Sequence, residues 1–312
     1  MIEADALSKS YGSFQALRGV SFAARPGRMT RLLGHDGAGK TTCIRVLTGY
    51  LTPSAGSASV AGCDVLAAPL AARAATGYLP ESAPSYPEMR VDDYLRYRAA
   101  LCRVPARGRR AAVDRAAERC WLREVRRQRI GSLSKGFRQR VGLAAALVAD
   151  PKALILDEPA SGLDPAQIVE MRTLIRELAQ DRVVLLSSHI LSDIEATCDD
   201  AVILARGKVR AAGALADLGA GTASQKLTVE CQADRTAAGA LLRAAGFDPQ
   251  HATLRTDAGW THAEIASSDD ARERVAAAAS SAGITVRELT SSAPSLERVL
   301  LELLEPPAED RR

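Results

Sequence analysis

The 312-residue chain has few aromatic residues: four Phe, six Tyr and two Trp, 4% of the total. Few rings are therefore available to stack on bases, and no nucleic-acid partner is expected. No window offers about 18 uninterrupted apolar residues, so no segment is predicted to span a bilayer. The opening residues MIEADALSKSYG contain no signal-peptide apolar core. The six cysteines never fall into C-x-x-C spacing and form no metal pattern with the four histidines. Reduced, buried thiols of a cytosolic chain are the simplest account. Lysine is absent from residues 90–129, where 13 Arg face five acids. That stretch carries +8 of a formal net charge of only +4, so the remainder carries −4. It reads either as a solvated helical surface or as a face turned to a partner or to anionic lipid head groups.

The length fits two domains, and 47% hydrophobic residues with 25% charged predict a packed core. Residues 1–212 alternate short apolar runs with helical patterns. MTRLLG at 29–34, KALILDEP at 152–159 and RVVLLSSH at 182–189 read as buried strands, the last two ending in polar residues. KTTCIRVLTGYL and AQIVEMRTLIRELAQ read as helices between them. Strand, helix, strand in this order predicts an α/β fold with a mainly parallel sheet and its chemistry at the carboxyl ends of the strands. A helical subdomain is expected at about 85–140, and the small residues of 213–225 read as a linker. Residues 226–312 then follow a βαββαβ pattern, a small α+β domain of the split-βαβ, ferredoxin-like kind. Its hairpin is expected at Ala258-Gly259, and SLERVLLELL reads as a last helix.

Gly34-His35-Asp36-Gly37-Ala38-Gly39-Lys40-Thr41 fits G-x-x-x-x-G-K-[ST] between a strand and a helix. Glycines let consecutive N–H groups turn inward onto phosphate oxygens. Lys40 supplies a point charge, Thr41 can reach Mg²⁺, and the helix N-terminus adds its dipole. At the end of ALILDEP, Asp157 can hold the Mg²⁺ shell, and Glu158 can polarise a water for attack on a γ-phosphate. His189 closes a third core strand and reads as a γ-phosphate contact.

Together these residues resemble the ATP-binding subunits of ABC transporters, over about residues 1–212. The resemblance implies a P-loop NTPase cassette with a RecA-like parallel core. It extends the phosphate loop from Gly34 to Thr42. Tyr11 resembles the aromatic that stacks on adenine. LSKGF at 133–137 resembles the family signature, usually Leu-Ser-Gly-Gly-Gln, and SGLDP at 161–165 the loop between subunits, with Asp164 at its acidic position. In the family the signature faces ATP held by the other subunit, so Leu133, Ser134 and Gly136 are implied to complete the partner's site. Glu81 stands where a Mg²⁺-contacting glutamine is usual, His35-Asp36 where Pro-Asn is usual, and Lys135 and Phe137 at the first Gly and the Gln of the signature.

The motifs GYLPE, YPEM and SHIL with EATCD resemble an exporter subgroup that includes gliding-motility-type ATPases. The resemblance implies ATP and Mg²⁺ as cofactors and ATP-driven closure and opening of a dimer, either a homodimer or a pair with a second ATPase subunit. It implies a separate polytopic membrane permease contacted by residues 80–100, and a peripheral place on the cytoplasmic face of the membrane. A soluble ABC ATPase acting on nucleic acid or ribosomes, and an accessory ATPase of motility or metal-site maturation, are the alternatives. A stabilising or dimer-supporting role fits the C-terminal domain better than ligand sensing.

Overall fold

A computed structural model describes residues 1–82, 86–188, 198–220, 225–267 and 270–292. The chain opens with β1 (Ile2–Tyr11), β2 (Phe14–Ala24), β3 (Met29–Leu33) and helix α1 (Lys40–Leu47). β4 (Ala55–Val60), β5 (Cys63–Asp64), α2 (Pro69–Ala74) and β6 (Thr76–Leu79) follow. Three helices come next, α3 (Val91–Leu101), α4 (Arg109–Arg119) and α5 (Lys135–Leu147). Then come β7 (Ala153–Leu156), α6 (Pro165–Ala179), β8 (Val183–Ser188), β9 (Asp200–Ala205) and β10 (Lys208–Ala214).

Six of these strands form one sheet in the order β10-β9-β3-β8-β7-β6. All neighbours are parallel except β10, which runs antiparallel to β9. β7 and β8 inside the sheet are buried on both faces, which explains their unbroken apolar runs Ala153–Leu156 and Val183–Leu186. Leu154 and Leu156 of β7 and Val184 and Leu186 of β8 pack into the core built with α3, α4, α5 and α6. Their neighbours Ala153, Ile155, Val183 and Leu185 point the other way, into the core shared with α1 and the N-terminal strands. Side chains alternate across a strand, so a strand between two cores needs apolar residues at every position.

The N-terminal strands make a second sheet, β2-β1-β4-β5, antiparallel throughout. The sequence reading contains no such sheet. β1 changes register between Ala4 and Leu7 and again on either side of Lys9, and Ala6 has φ 46°. Each irregularity shifts the period-2 pattern, so the alternation that marks a strand is erased.

The chain divides into two compact units, the first built on Met1–Leu215 and the second starting at Ala216. The stretch read as a linker differs in its first part. β10 runs on to Ala214, paired with Asp200, and α7 (Leu215–Ala220) follows directly. Small residues here fit a paired edge strand as well as a free segment, and the Leu215 amide donates to Asp199 O at 3.0 Å.

The second unit contains β11 (Gln225–Cys231), α8 (Arg235–Ala244), β12 (Thr253–Asp257), β13 (Trp260–Ser267), α9 (Arg272–Ala282) and β14 (Val286–Ser292). This is the predicted βαββαβ order, in an antiparallel sheet β12-β13-β11-β14. Leu227, Val229, Leu241, Leu242, Ile265 and Val275 form its core. The β12–β13 hairpin turns at Ala258 and Gly259, with φ 48° and 81°, as a two-residue loop requires. The helix predicted at SLERVLLELL lies outside the described residues. Among those described, no helix is long and apolar enough to cross a membrane. The six cysteines are free, and burial pushes the Cys43 thiol up to about 12, so it is inert.

Candidate nucleotide site

β3 is buried along its whole length and carries the chain to Gly34 at the carboxyl edge of the sheet. The backbone here has room only for glycine. A Cβ at Gly34 would lie 2.5 Å from Leu204 O, and one at Gly39 would lie 2.8 Å from Ala16 O. Gly39 also has φ 107°, a conformation that L side chains rarely adopt. Lys40 is 5% exposed. Its ammonium donates to Gly34 O at 2.6 Å and to His35 O at 3.2 Å, which holds the charge inside the curve of the loop. His35, Asp36 and Gly37 form the exposed rim, and His35 Nδ1 donates to Asp36 O at 2.6 Å. Ala38 is buried, and its carbonyl accepts from Gly207 N at 2.9 Å. α1 begins at Lys40, so its N-terminus points into the loop, with Thr41 exposed and Thr42 half-buried. Inward amides, a helix dipole and one ammonium make this loop an anion cradle.

β8 lies between β3 and β7 in the sheet, so the ends of these three strands share one edge. Asp157 follows β7 and is 4% exposed. Its amide donates to Leu79 O at 2.8 Å, and its Oδ1 accepts from the Ser187 hydroxyl at 2.6 Å. Ser187 Oγ in turn accepts from the Glu158 amide at 2.9 Å. One β8 hydroxyl therefore holds the Asp157 carboxylate and the Glu158 backbone. Glu158 has φ 47°, uncommon for a non-glycine residue, and is half-buried. Burial, then the nearby Asp157 charge, push the Tyr78 hydroxyl up to about 12. His189, next after β8, lies outside the described residues.

The signature residues gather elsewhere. Ser134 caps α5 by accepting from the Phe137 amide at 3.3 Å, while Leu133 is buried. A Cβ at Gly136 would lie 2.8 Å from Gln167 Oε1, and one at Gly162 would run into the Lys135 ammonium. Asp164 caps α6 by accepting from the Gln167 amide at 2.9 Å. The turn at 133–137 and the segment 161–165 therefore form one block. Phe137 packs into the core and against the Arg140 guanidinium, whose other neighbours are Trp121 and Glu170. Its role in this chain is packing. Glu81 is exposed, and its carbonyl accepts from Gln139 Nε2 at 3.3 Å, which ties α5 to the end of β6. Tyr11 ends β1, 46% exposed as a residue, with Lys9 Nζ 5.4 Å from its ring centroid. The paired strand β2 touches the phosphate loop through Ala16 and Leu17 at Gly39.

The ABC transporter family profile matches residues 17–161. The daunorubicin resistance ATP-binding protein DrrA3 of Streptomyces coeruleorubidus is 33% identical over 314 residues, covering 100% of this chain and 97% of that protein. The chain belongs to the ABC transporter ATP-binding proteins. A second relative is the uncharacterised ABC transporter ATP-binding protein YxlF of Bacillus subtilis (strain 168). It is 37% identical over 218 residues, 70% of this chain and 72% of that one. A solved ATP binding subunit of an ABC transporter superposes with TM-score 0.63 at 32% identity, covering 70% of this chain and 91% of that structure. As a member of this family the chain is an ATPase that drives transport.

Sequence reasoning missed Ser187, Gln139 and the Lys135–Gly162 contact. Ser187 carries a signal: two serines end an otherwise apolar buried strand, where a polar side chain needs a partner. Gln139 carries none, because a glutamine on an amphipathic helix reads as surface.

Proposed function

We propose that the chain binds ATP at the carboxyl edge of its parallel sheet and splits it there, as the motor subunit of an exporter. The observation that carries this reading is the shared edge: the Lys40 loop, the Asp157–Glu158 pair and the Ser187 hydroxyl that bonds to both residues. Residues Gly34 to Thr42 hold the phosphates through their amides, with Lys40 as the charge that follows them. Tyr11 stacks on adenine. Among the described residues no three of His, Cys, Asp and Glu could together hold a metal. The hydroxyl of Thr41 and the carboxylates of Asp157 and Glu81 are oxygen donors of the kind Mg²⁺ takes, one or two carboxylates with phosphate oxygens and water completing the shell. Thr41, Asp157 and Glu81 are the residues that would hold it, and it would neutralise charge on the phosphates. Glu158 orients the attacking water and accepts its proton, and His189 contacts the γ-phosphate.

Leu133, Ser134, Gly136 and Asp164 complete the site of a second copy, so that two nucleotides join two subunits. Loss of the γ-phosphate releases that closure and moves a separate polytopic permease. The permease seat we assign is a groove of about 550 Å³ between the sheet and the helical subdomain, lined by Tyr50, Arg73, Tyr78, Tyr94 and Arg98. Tyr50 is 73% exposed at its rim. The chain then sits peripherally on the cytoplasmic face of the membrane. Similarity along the whole chain to a protein named for daunorubicin resistance supports export as the direction.

The test is a capture experiment. Tagged Glu158→Gln protein is expressed in its native host, given ATP and Mg²⁺, and purified from gently solubilised membranes. A co-purifying polytopic membrane protein is the expected result, and ribosomes or nucleic acid in its place would overturn the transporter reading. Lys40→Ala should bind and hydrolyse no ATP; ordinary turnover would remove the phosphate-loop assignment.

A further inference from the structure

On the helical subdomain the arginines of 90–129 are sorted into paired and unpaired. The loop before α5 lies against the start of α3: Val91 N donates to Gln128 O at 3.1 Å and Asp92 N to Arg126 O at 3.0 Å, and Arg90 bridges Arg129. This brings Arg127 beside Arg90, while α4 contributes Arg110. Together they line a charged cleft of about 680 Å³. Its acids are largely spent inside the fold. Arg126 bonds to Asp92 at 2.7 Å and to Asp114 at 2.5 Å, and Arg96 bonds to Asp93 at 3.1 Å. Glu124 is the remaining acid of the lining. Arg90, Arg110 and Arg127 are exposed and have no acidic partner among the described residues.

We propose that this cleft holds the phosphate groups of anionic membrane lipids. Three facts favour that occupant. All the cations are arginines, whose planar fork pairs with two phosphate oxygens at once, whereas lysine offers a point charge. Among the described residues no aromatic side chain lines the cleft, so it has no platform for nucleic-acid bases. Last, α3 is shared: Tyr94 and Arg98 face the groove assigned to the permease, and Arg96 and Asp93 face the cleft. An 11-residue helix is only about 16 Å long, so a groove seated on a membrane protein keeps the cleft near the head groups. This last point rests on the proposed transporter reading; the first two do not.

The test is flotation of the full chain with protein-free vesicles of phosphatidylcholine, with and without phosphatidylglycerol. Binding only to the anionic vesicles, weakening as salt is raised, is expected. The triple variant Arg90→Gln, Arg110→Gln, Arg127→Gln should bind them roughly a hundredfold more weakly, at about fivefold per arginine, with its ATP turnover in solution unchanged. Arg127→Gln alone should show the single step if the triple variant folds poorly. Equal binding to neutral vesicles, full binding by the variants, or capture of tripolyphosphate or duplex RNA in preference to the vesicles would overturn the proposal. The vesicles contain no permease, so failure here leaves the transporter reading standing.

Discussion

The Ser187 hydroxyl donates to Asp157 Oδ1 at 2.6 Å, across the gap between two neighbouring parallel strands. The same oxygen accepts from the Glu158 backbone amide, so one small side chain ties the carboxylate assigned to metal to the backbone of the residue assigned to water. Ser187→Ala removes the hydroxyl that donates to the buried Asp157 carboxylate, at a cost of about 1–3 kcal/mol. Lower melting temperature and a Mg²⁺ activation curve displaced to higher concentration are expected. An unchanged Mg²⁺ curve would mean that Ser187 acts on stability alone.

Gly39→Ala tests the phosphate loop without touching a charge. The new methyl meets Ala16 O and Leu17 Cδ2 and must adopt φ 107°. The substitution should destabilise the chain by more than about 1 kcal/mol and weaken ATP binding. Thermal melts with and without ATP separate the two effects: the shift that ATP gives the parent chain should shrink in the variant.

Glu158→Gln keeps the size of the side chain and removes its basicity. It should bind ATP, fail to split it, and sediment as a dimer with ATP and as a monomer without. A species that stays monomeric in saturating ATP would count against a nucleotide shared between subunits.

Asp181 ties the core to α4. Its carboxylate accepts from Arg182 and from Arg119 at 2.9 Å, and these guanidinium bonds hold its carboxyl well below the usual range. A carboxyl depressed in the folded state adds stability above its unfolded value of 3.8, and that stability is lost as pH falls through the folded value. Asp181→Asn should therefore melt earlier than the parent at pH 6, with the gap closing as pH drops below about 4. A gap that is the same at both ends would show that packing, not charge, holds α4 here.

The parts legible in the sequence are those where local pattern and tertiary role agree. β7 is apolar throughout, and β8 as far as Leu186, because each lies between two cores, and polar residues follow these apolar runs because the strand ends form the site. Glycine at 34 and 39 is required by the backbone itself, so the motif could be read as geometry. Where roles depend on distant contacts, the pattern fails. The irregularities of β1 hid a whole antiparallel sheet. Lys135, which departs from the usual signature, lies against Gly162 of the same chain, a contact that no spacing encodes.

In the proposed mechanism each ATP is split between the phosphate loop of one copy and the signature turn of another. The most direct measurement is ATP turnover by a mixture of two inactive variants, Lys40→Ala and Ser134→Arg. In a mixed dimer both lesions fall in one site and the other site is intact, so the mixture should regain activity that neither variant has alone. If the mixture stays as inactive as its parts while both chains remain folded, the site is not shared between two copies of this chain, and the account is contradicted.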